Sequence, residues 1–181
     1  MRHLRLQLLY LFLFLFTFST YALAGSVDVG STADAQVVEG NSSTNYGSQT
    51  SMYVGSGSSY EDERIWVKFD LEGELPSGAT ITSAKLLLYC WRADGPTTIE
   101  ATVHAATDGW TENEITWDDQ PTFTTTALDT QTLTAGDEDR WFSWDVTTHV
   151  QTEYAGDGTV SVVVKANPED QSSASSYGFD G

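Results

Sequence analysis

The feature that most constrains this chain is the recurrence of apolar residues at every second position. Ile65, Val67 and Phe69 alternate with Arg64, Trp66, Lys68 and Asp70, and Ala84, Leu86, Leu88 and Cys90 alternate with Lys85, Leu87, Tyr89 and Trp91. The same period runs through Ile99, Ala101, Val103 and Ala105, through Phe142, Trp144 and Val146, and through Val160, Val162 and Val164. Successive strand side chains point to opposite faces, so this period buries one face of a strand, whereas a helix needs a repeat near 3.6. Residues 33–38 and 52–54 are weaker strand candidates. Turn signals such as Asn45-Tyr46-Gly47, Gly55-Ser56-Gly57, Ala135-Gly136-Asp137 and Gly156-Asp157-Gly158 separate the segments. Short alternating strands between such turns predict an all-β fold, an antiparallel β-sandwich.

Only residues 146–154 suggest a helical turn, with Asp145 as N-cap and Val146, Val150 and Tyr154 on one side. The Ser- and Thr-rich stretches 42–59 and 122–134 read as long loops, the usual carriers of binding function. The outward register of Leu87, Tyr89 and Trp91 is too apolar for open water and is expected to pack under a loop or form a groove.

The first residues read as a cleavable secretory signal. Arg2, His3 and Arg5 form a basic head, residues 8–18 are apolar apart from Thr17, and Ala22-Leu23-Ala24 supplies small residues two apart before Gly25. The expected organisation is a signal at 1–24 and one sandwich domain at 25–181, secreted and with no membrane attachment after cleavage. The whole chain carries a formal net charge of −18. Arg2 and Arg5 lie in the signal, so six basic residues face all 26 acidic ones after it, for a net −20. That balance excludes a nucleic-acid binder, which needs basic residues to displace counterions from phosphates. One cysteine excludes an intrachain disulfide framework, and Cys90 reads as a small buried hydrophobe.

Motifs for chemistry are scarce. After residue 24 the histidines are His104 and His149, and no serine sits in a Gly-x-Ser-x-Gly elbow. No paired His or Cys spacing for zinc occurs, nor any phosphate-cradling glycine loop. Acidic residues are too abundant for any carboxylate pair to stand out for glycoside chemistry. The reading is a non-catalytic chain with no cofactor. Calcium is the ion that would fit, through Glu61-Asp62-Glu63, Asp118-Asp119 or Asp137-Glu138-Asp139, although none has EF-hand spacing and solvated loops explain them as well. Trp66, Trp91 and Trp141 each fall on the more polar register of a strand. There a ring with a polar handle suits a half-wet surface and can stack on a sugar, or else cover the ends of the sandwich as core.

The segments Arg64-Ile-Trp-Val-Lys68-Phe-Asp70-Leu, Leu75-Pro-Ser-Gly-Ala-Thr-Ile-Thr-Ser-Ala-Lys-Leu-Leu-Leu-Tyr89 and Trp110-Thr-Glu112-Asn-Glu-Ile-Thr-Trp117, the last ending in Gln120-Pro121, resemble the DNRLRE domain, also classed as carbohydrate-binding module family 96. Asn45-Tyr46-Gly47 and Asp145-Val-Thr147 fit the same order. The resemblance implies a secreted, jelly-roll-like module that binds polysaccharide and is joined to further domains in a larger protein. It also implies one more strand after Tyr177-Gly178-Phe179, so the last strand is expected to be missing, with one sheet position open. Within this frame Arg64, Trp66 and Lys68, which share a strand face, and Trp91 are the expected ligand contacts. Pairing of Arg64 and Lys68 with cross-strand acids is the competing role. Trp110, Glu112 and Trp117 read as loop fasteners. The alternative function is a structural or adhesive module of a cell-surface or matrix protein.

Overall fold

The alternating segments become strands in the computed structural model, which describes residues 25–57, 61–76, 78–94, 98–170 and 175–181. The expected signal, residues 1–24, lies outside the described residues. In chain order the elements are β1 (Ala33–Val38), β2 (Ser51–Ser56), β3 (Glu63–Asp70), β4 (Lys85–Asp94), β5 (Ile99–Ala106), β6 (Asp129–Leu133), β7 (Arg140–Asp145), α1 (Thr147–Ala155), β8 (Thr159–Asn167) and β9 (Ser175–Asp180). A 3-10 turn, Glu39–Asn41, follows β1.

Every ladder among the described strands is antiparallel. One layer runs β6-β5-β8-β3, with β1 added on the far side of β3, and the other runs β2-β9-β4-β7. A single residue pair, Gly55 opposite Glu63, joins β2 to β3 and so joins the layers on one side. On the other side the Asp129 carboxylate accepts the Asp145 backbone N–H at 2.7 Å. The result is an all-β sandwich of jelly-roll type, nearly closed into a barrel.

The alternation explains the core. Ile65, Val67, Leu86, Leu88, Cys90, Ala101, Val103, Phe142, Trp144, Val162 and Val164 all turn inward and are buried together. The helix falls where expected, but its N-cap is Val146, with no side-chain cap bond, rather than the expected Asp145. The Asp145 carboxylate accepts the Thr147 N–H at 2.9 Å, while Val146, Val150 and Tyr154 pack against one end of the core.

Among the strands, one expectation changes. Residues 129–133, read as loop, form edge strand β6, which contributes one fully buried side chain, Leu133. Strand β9, which contains Tyr177-Gly178-Phe179, lies inside the second layer with β2 on one side and β4 on the other.

Candidate functional site

The outer faces of the two layers carry the candidate residues, and the structure treats them differently. On β3, Arg64, Trp66 and Lys68 do share the outward register, but residues 107–126, between β5 and β6, cross over them. Trp66 is 0% exposed and packs edge-on against Trp110 and Phe123, at ring-centroid distances of 6.0 and 6.1 Å. Its indole N–H donates to Gln120 Oε1 at 3.2 Å. The same oxygen accepts Arg64 Nη1 at 3.0 Å, and the Gln120 amide donates to the Trp117 carbonyl.

Arg64 is engaged on every side. Its guanidinium makes a two-pronged ion pair with Glu169, at 2.7 and 3.0 Å, and lies 4.1 Å from the Trp117 ring centroid. Lys165 also reaches Glu169, at 3.0 Å. Burial opposes the charge on Glu169, yet the bonds and charge of Arg64, with those of Lys165, hold its carboxyl below the ordinary carboxylate range. Lys68 donates to the carbonyls of Asp108 and Trp110 at 3.0 and 2.6 Å and sits over the Trp110 ring. The expectation of an open Arg64-Trp66-Lys68 face is therefore replaced by a roof that these three side chains fasten. A polar strand register does not keep a tryptophan in water when a long connection can cover it.

The roof is also tied from the other end. The Asn45 side-chain amide donates to the carbonyls of Glu112 and Ile115, both at 2.8 Å. Gly47 lies so close to the Glu112 carbonyl that a Cβ there would collide with it. Trp110, 5% exposed, donates its indole N–H to Ser161 at 3.2 Å, and Glu112 accepts the Asp34 N–H at 3.4 Å.

The outer face of β2-β9-β4-β7 has no such cover among the described residues. Leu87 is 51% exposed and Trp141 63% exposed. Trp141 pairs across the ladder with Tyr89, the two rings meeting edge to face at 5.4 Å. Trp91, two residues on from Tyr89, is half-buried and meets Tyr53 edge to face at 5.9 Å. Between those two rings lies Gly178, where an added Cβ would come within 2.9–3.0 Å of both. The absent side chain lets Trp91 and Tyr53 lie down on the sheet. The Trp91 N–H has no acceptor among the described residues, and the Tyr89 hydroxyl donates to Asp139 at 3.4 Å. Tyr53, Trp91, Tyr89, Trp141 and Leu87 thus form one aromatic strip. Its edge-to-face rings give a stepped surface rather than a plane. Of this strip the sequence singled out Trp91 and Trp141, and its expectation that the Leu87-Tyr89-Trp91 face packs under a loop or forms a groove finds no cover among the described residues.

Both histidines after residue 24 are buried. His104 is buried, with ring nitrogens 2.7 Å from the Thr124 carbonyl and 3.0 Å from the Thr102 hydroxyl, and burial lowers its pKa. His149 is buried against the Ser161 carbonyl at 2.9 Å. Of the acidic runs read for calcium, Asp118 accepts the Ser42 hydroxyl, while Asp137 accepts from Thr134 and Arg140. Among the described residues carboxylates converge at Glu39, Asp62 and Asp170 and at Asp108, Glu153 and Asp157, with oxygens within 4.8 Å in each group. Burial, then the charges of Asp62 and Asp170, raise the pKa of Glu39.

A two-layer β-sandwich with an uncovered aromatic strip on one rigid sheet face has the build of a binding module. Comparison with protein families agrees: the family described as carbohydrate-binding module family 96 matches residues 26–179, and the chain belongs to it. No curated protein matches the chain. Membership makes carbohydrate the ligand class, and no helix among the described residues is long and apolar enough to cross a membrane.

Proposed function

We propose that this chain is an exported, non-catalytic module that attaches a larger protein to extracellular polysaccharide through the outer face of β2-β9-β4-β7. The observation that carries this reading is the exposure of Trp141 and Leu87 beside Tyr89 on a sheet face otherwise held rigid by its ladders. Apolar side chains standing together in water mark a surface with something to cover it. Aromatic rings bearing a hydroxyl or N–H suit a ligand that is apolar on its ring faces and polar at its rim. Family membership supplies the chemistry of that ligand. Arg64 and Lys68 become supports of the opposite face, and Trp91 remains a ligand contact, joined by Tyr53, Tyr89 and Trp141. The reading requires no cofactor and no nucleic-acid partner.

The test is retention of the protein on polysaccharide gels. Wild type is expected to be retarded by at least one polymer, and Trp141→Ala to lose that retardation at an unchanged circular dichroism spectrum. Equal retardation of wild type and Trp141→Ala would place the ligand elsewhere. Appearance of the product in the medium with Gly25 as its first residue checks export. Release of reducing sugar from any bound polymer would refute the non-catalytic role.

A further inference from the structure

We propose that Asp108, Glu153 and Asp157 hold one calcium ion, which ties the root of the roof to the end of α1. The three side chains come from separate stretches of chain. Asp108 opens the connection that crosses β3, Glu153 lies in the last turn of α1, and Asp157 stands in the turn that leads into β8. One carboxylate oxygen from each lies within 4.8 Å of the others, no wider than the about 5 Å between opposite ligands of calcium. None of the acidic runs singled out in the sequence supplies these ligands, because the fold alone brings them together.

Converging acids are common on so negative a chain, and two buried atoms set this group apart. Asp108 Oδ1 is closed to water and has no hydrogen-bond partner among the described residues. Lys68 bonds the carbonyl of Asp108 rather than its carboxylate, and among the described residues no lysine or arginine pairs with any of the three acids. A buried charged acceptor without a donor is destabilising. Calcium approaches an oxygen to about 2.3–2.6 Å, closer than the about 2.7–2.8 Å of a water's hydrogen bond. The second atom is Nδ1 of His149, whose side chain is 7% exposed. Its Nε2 lies 2.9 Å from the Ser161 carbonyl, which can only accept, so Nε2 carries the hydrogen. In the neutral ring Nδ1 then turns a lone pair towards Glu153 Oε1 at 3.5 Å, acceptor against acceptor. A cation held by Glu153 relieves that repulsion. Carboxylate oxygens suit calcium and magnesium rather than softer metals. Asp157 also lines an open cavity of about 400 Å³, which gives the ion a way in and leaves room for the waters that complete a calcium shell.

The experiment is calorimetric titration of calcium chloride, and separately magnesium chloride, into EDTA-treated and dialysed protein, paired with thermal unfolding in EDTA and in calcium. The expected result is one saturable calcium site per chain, with magnesium weaker by at least about tenfold. A hundredfold excess of calcium over Kd should raise the unfolding midpoint by about 5–10 °C. Asp157→Asn keeps the oxygen that accepts the Thr159 N–H, so its fold is preserved. That variant and Glu153→Gln should each weaken calcium binding by at least about tenfold. In EDTA, Asp157→Asn should unfold no lower than wild type, because it removes one of three mutually repelling charges. Absence of a saturable site, or calcium binding undiminished in both variants, would overturn the proposal. Binding lost in Asp170→Asn but kept in Asp157→Asn would move the ion to the cluster with Glu39 and Asp62 and overturn it equally. A midpoint lowered by Asp157→Asn as much in EDTA as in calcium would reduce the group to ordinary fold contacts, and magnesium binding as tight as calcium would refute the choice of ion.

Discussion

The two outer faces of this sandwich begin from the same strand chemistry and end as opposites. Each sets a tryptophan on the outward register: Trp66 between Arg64 and Lys68 on β3, and Trp141 on β7 opposite Tyr89, with Leu87 nearby on β4. On β3 the connection from β5 to β6 is long enough to cross the sheet, and it brings Trp110, Ile115, Trp117 and Phe123 with it. The Leu87, Tyr89 and Trp141 side chains receive no such connection among the described residues, and the rings stay in water. The register of a strand fixes which side a side chain takes. Whether that side is wet is decided by residues distant in sequence.

The largest break in this comparison is to truncate the matching tryptophans. Trp66→Ala removes a fully enclosed ring from beneath the roof and is expected to destabilise the fold by about 3–5 kcal/mol, whereas Trp141→Ala should shift stability by no more than about 0.5 kcal/mol. Denaturant titration of both variants checks this, and similar losses in the two would erase the distinction between covered and bare faces.

Next comes the seam between the layers. Burial pushes the Glu63 carboxyl up to about 7, against hydrogen bonds from Ser176 and Gln36 that favour its charge. The unfolded carboxyl titrates near 4.5, so the folded state holds the proton more tightly, and the stability linked to this group is present at low pH and is lost as pH rises from about 4.5 to about 7. Glu63→Gln should therefore narrow the stability gap between pH 5 and pH 8 by at most about 3 kcal/mol, measured by urea titration at the two pH values. A gap unchanged by the substitution would remove Glu63 from the seam's energetics.

A smaller effect is expected from Asn45→Ala, which leaves the carbonyls of Glu112 and Ile115 without their donor. The expected loss is about 2 kcal/mol, accompanied by faster amide exchange across residues 110–117 and unaltered glycan retention. Smallest is Gly178→Ala. The new Cβ meets Trp91 and Tyr53, so retention should weaken several-fold with a stability change under about 1 kcal/mol, and unaltered retention would free those two rings from the site.

The legible parts of the fold were those with one apolar and one polar side. The strands β3, β4, β5, β7 and β8 each announce themselves through alternation, and the spacing of Val146, Val150 and Tyr154 gives α1, although its cap is Val146 and not Asp145. The strand β6 was hidden because an edge strand with one core residue, Leu133, reads like any threonine-rich loop. The last described strand, β9, was hidden for the opposite reason. Ser175, Ser176, Tyr177, Gly178 and Phe179 are all buried, so no polar face betrays a period. Of the expected contacts, Arg64, Trp66 and Lys68 were misread as open because nothing local in β3 encodes the later connection that covers them. Trp141 drew attention from sequence alone, but its exposure depends on the absence of such a connection.

The central place of β9 has a consequence for biosynthesis. Ser51 must find Asp180, and Tyr53 must find Gly178, across almost the whole length of the domain, and contacts so far apart form slowly because a long segment has to be closed first. Until that happens β2 and β4 each lack a neighbour, and the floor on which Trp91 and Tyr53 rest does not exist. The Trp91 and Tyr53 end of the strip therefore depends on the most distant pairing in the chain, whereas Trp141 and Tyr89 rest on the β4–β7 ladder alone.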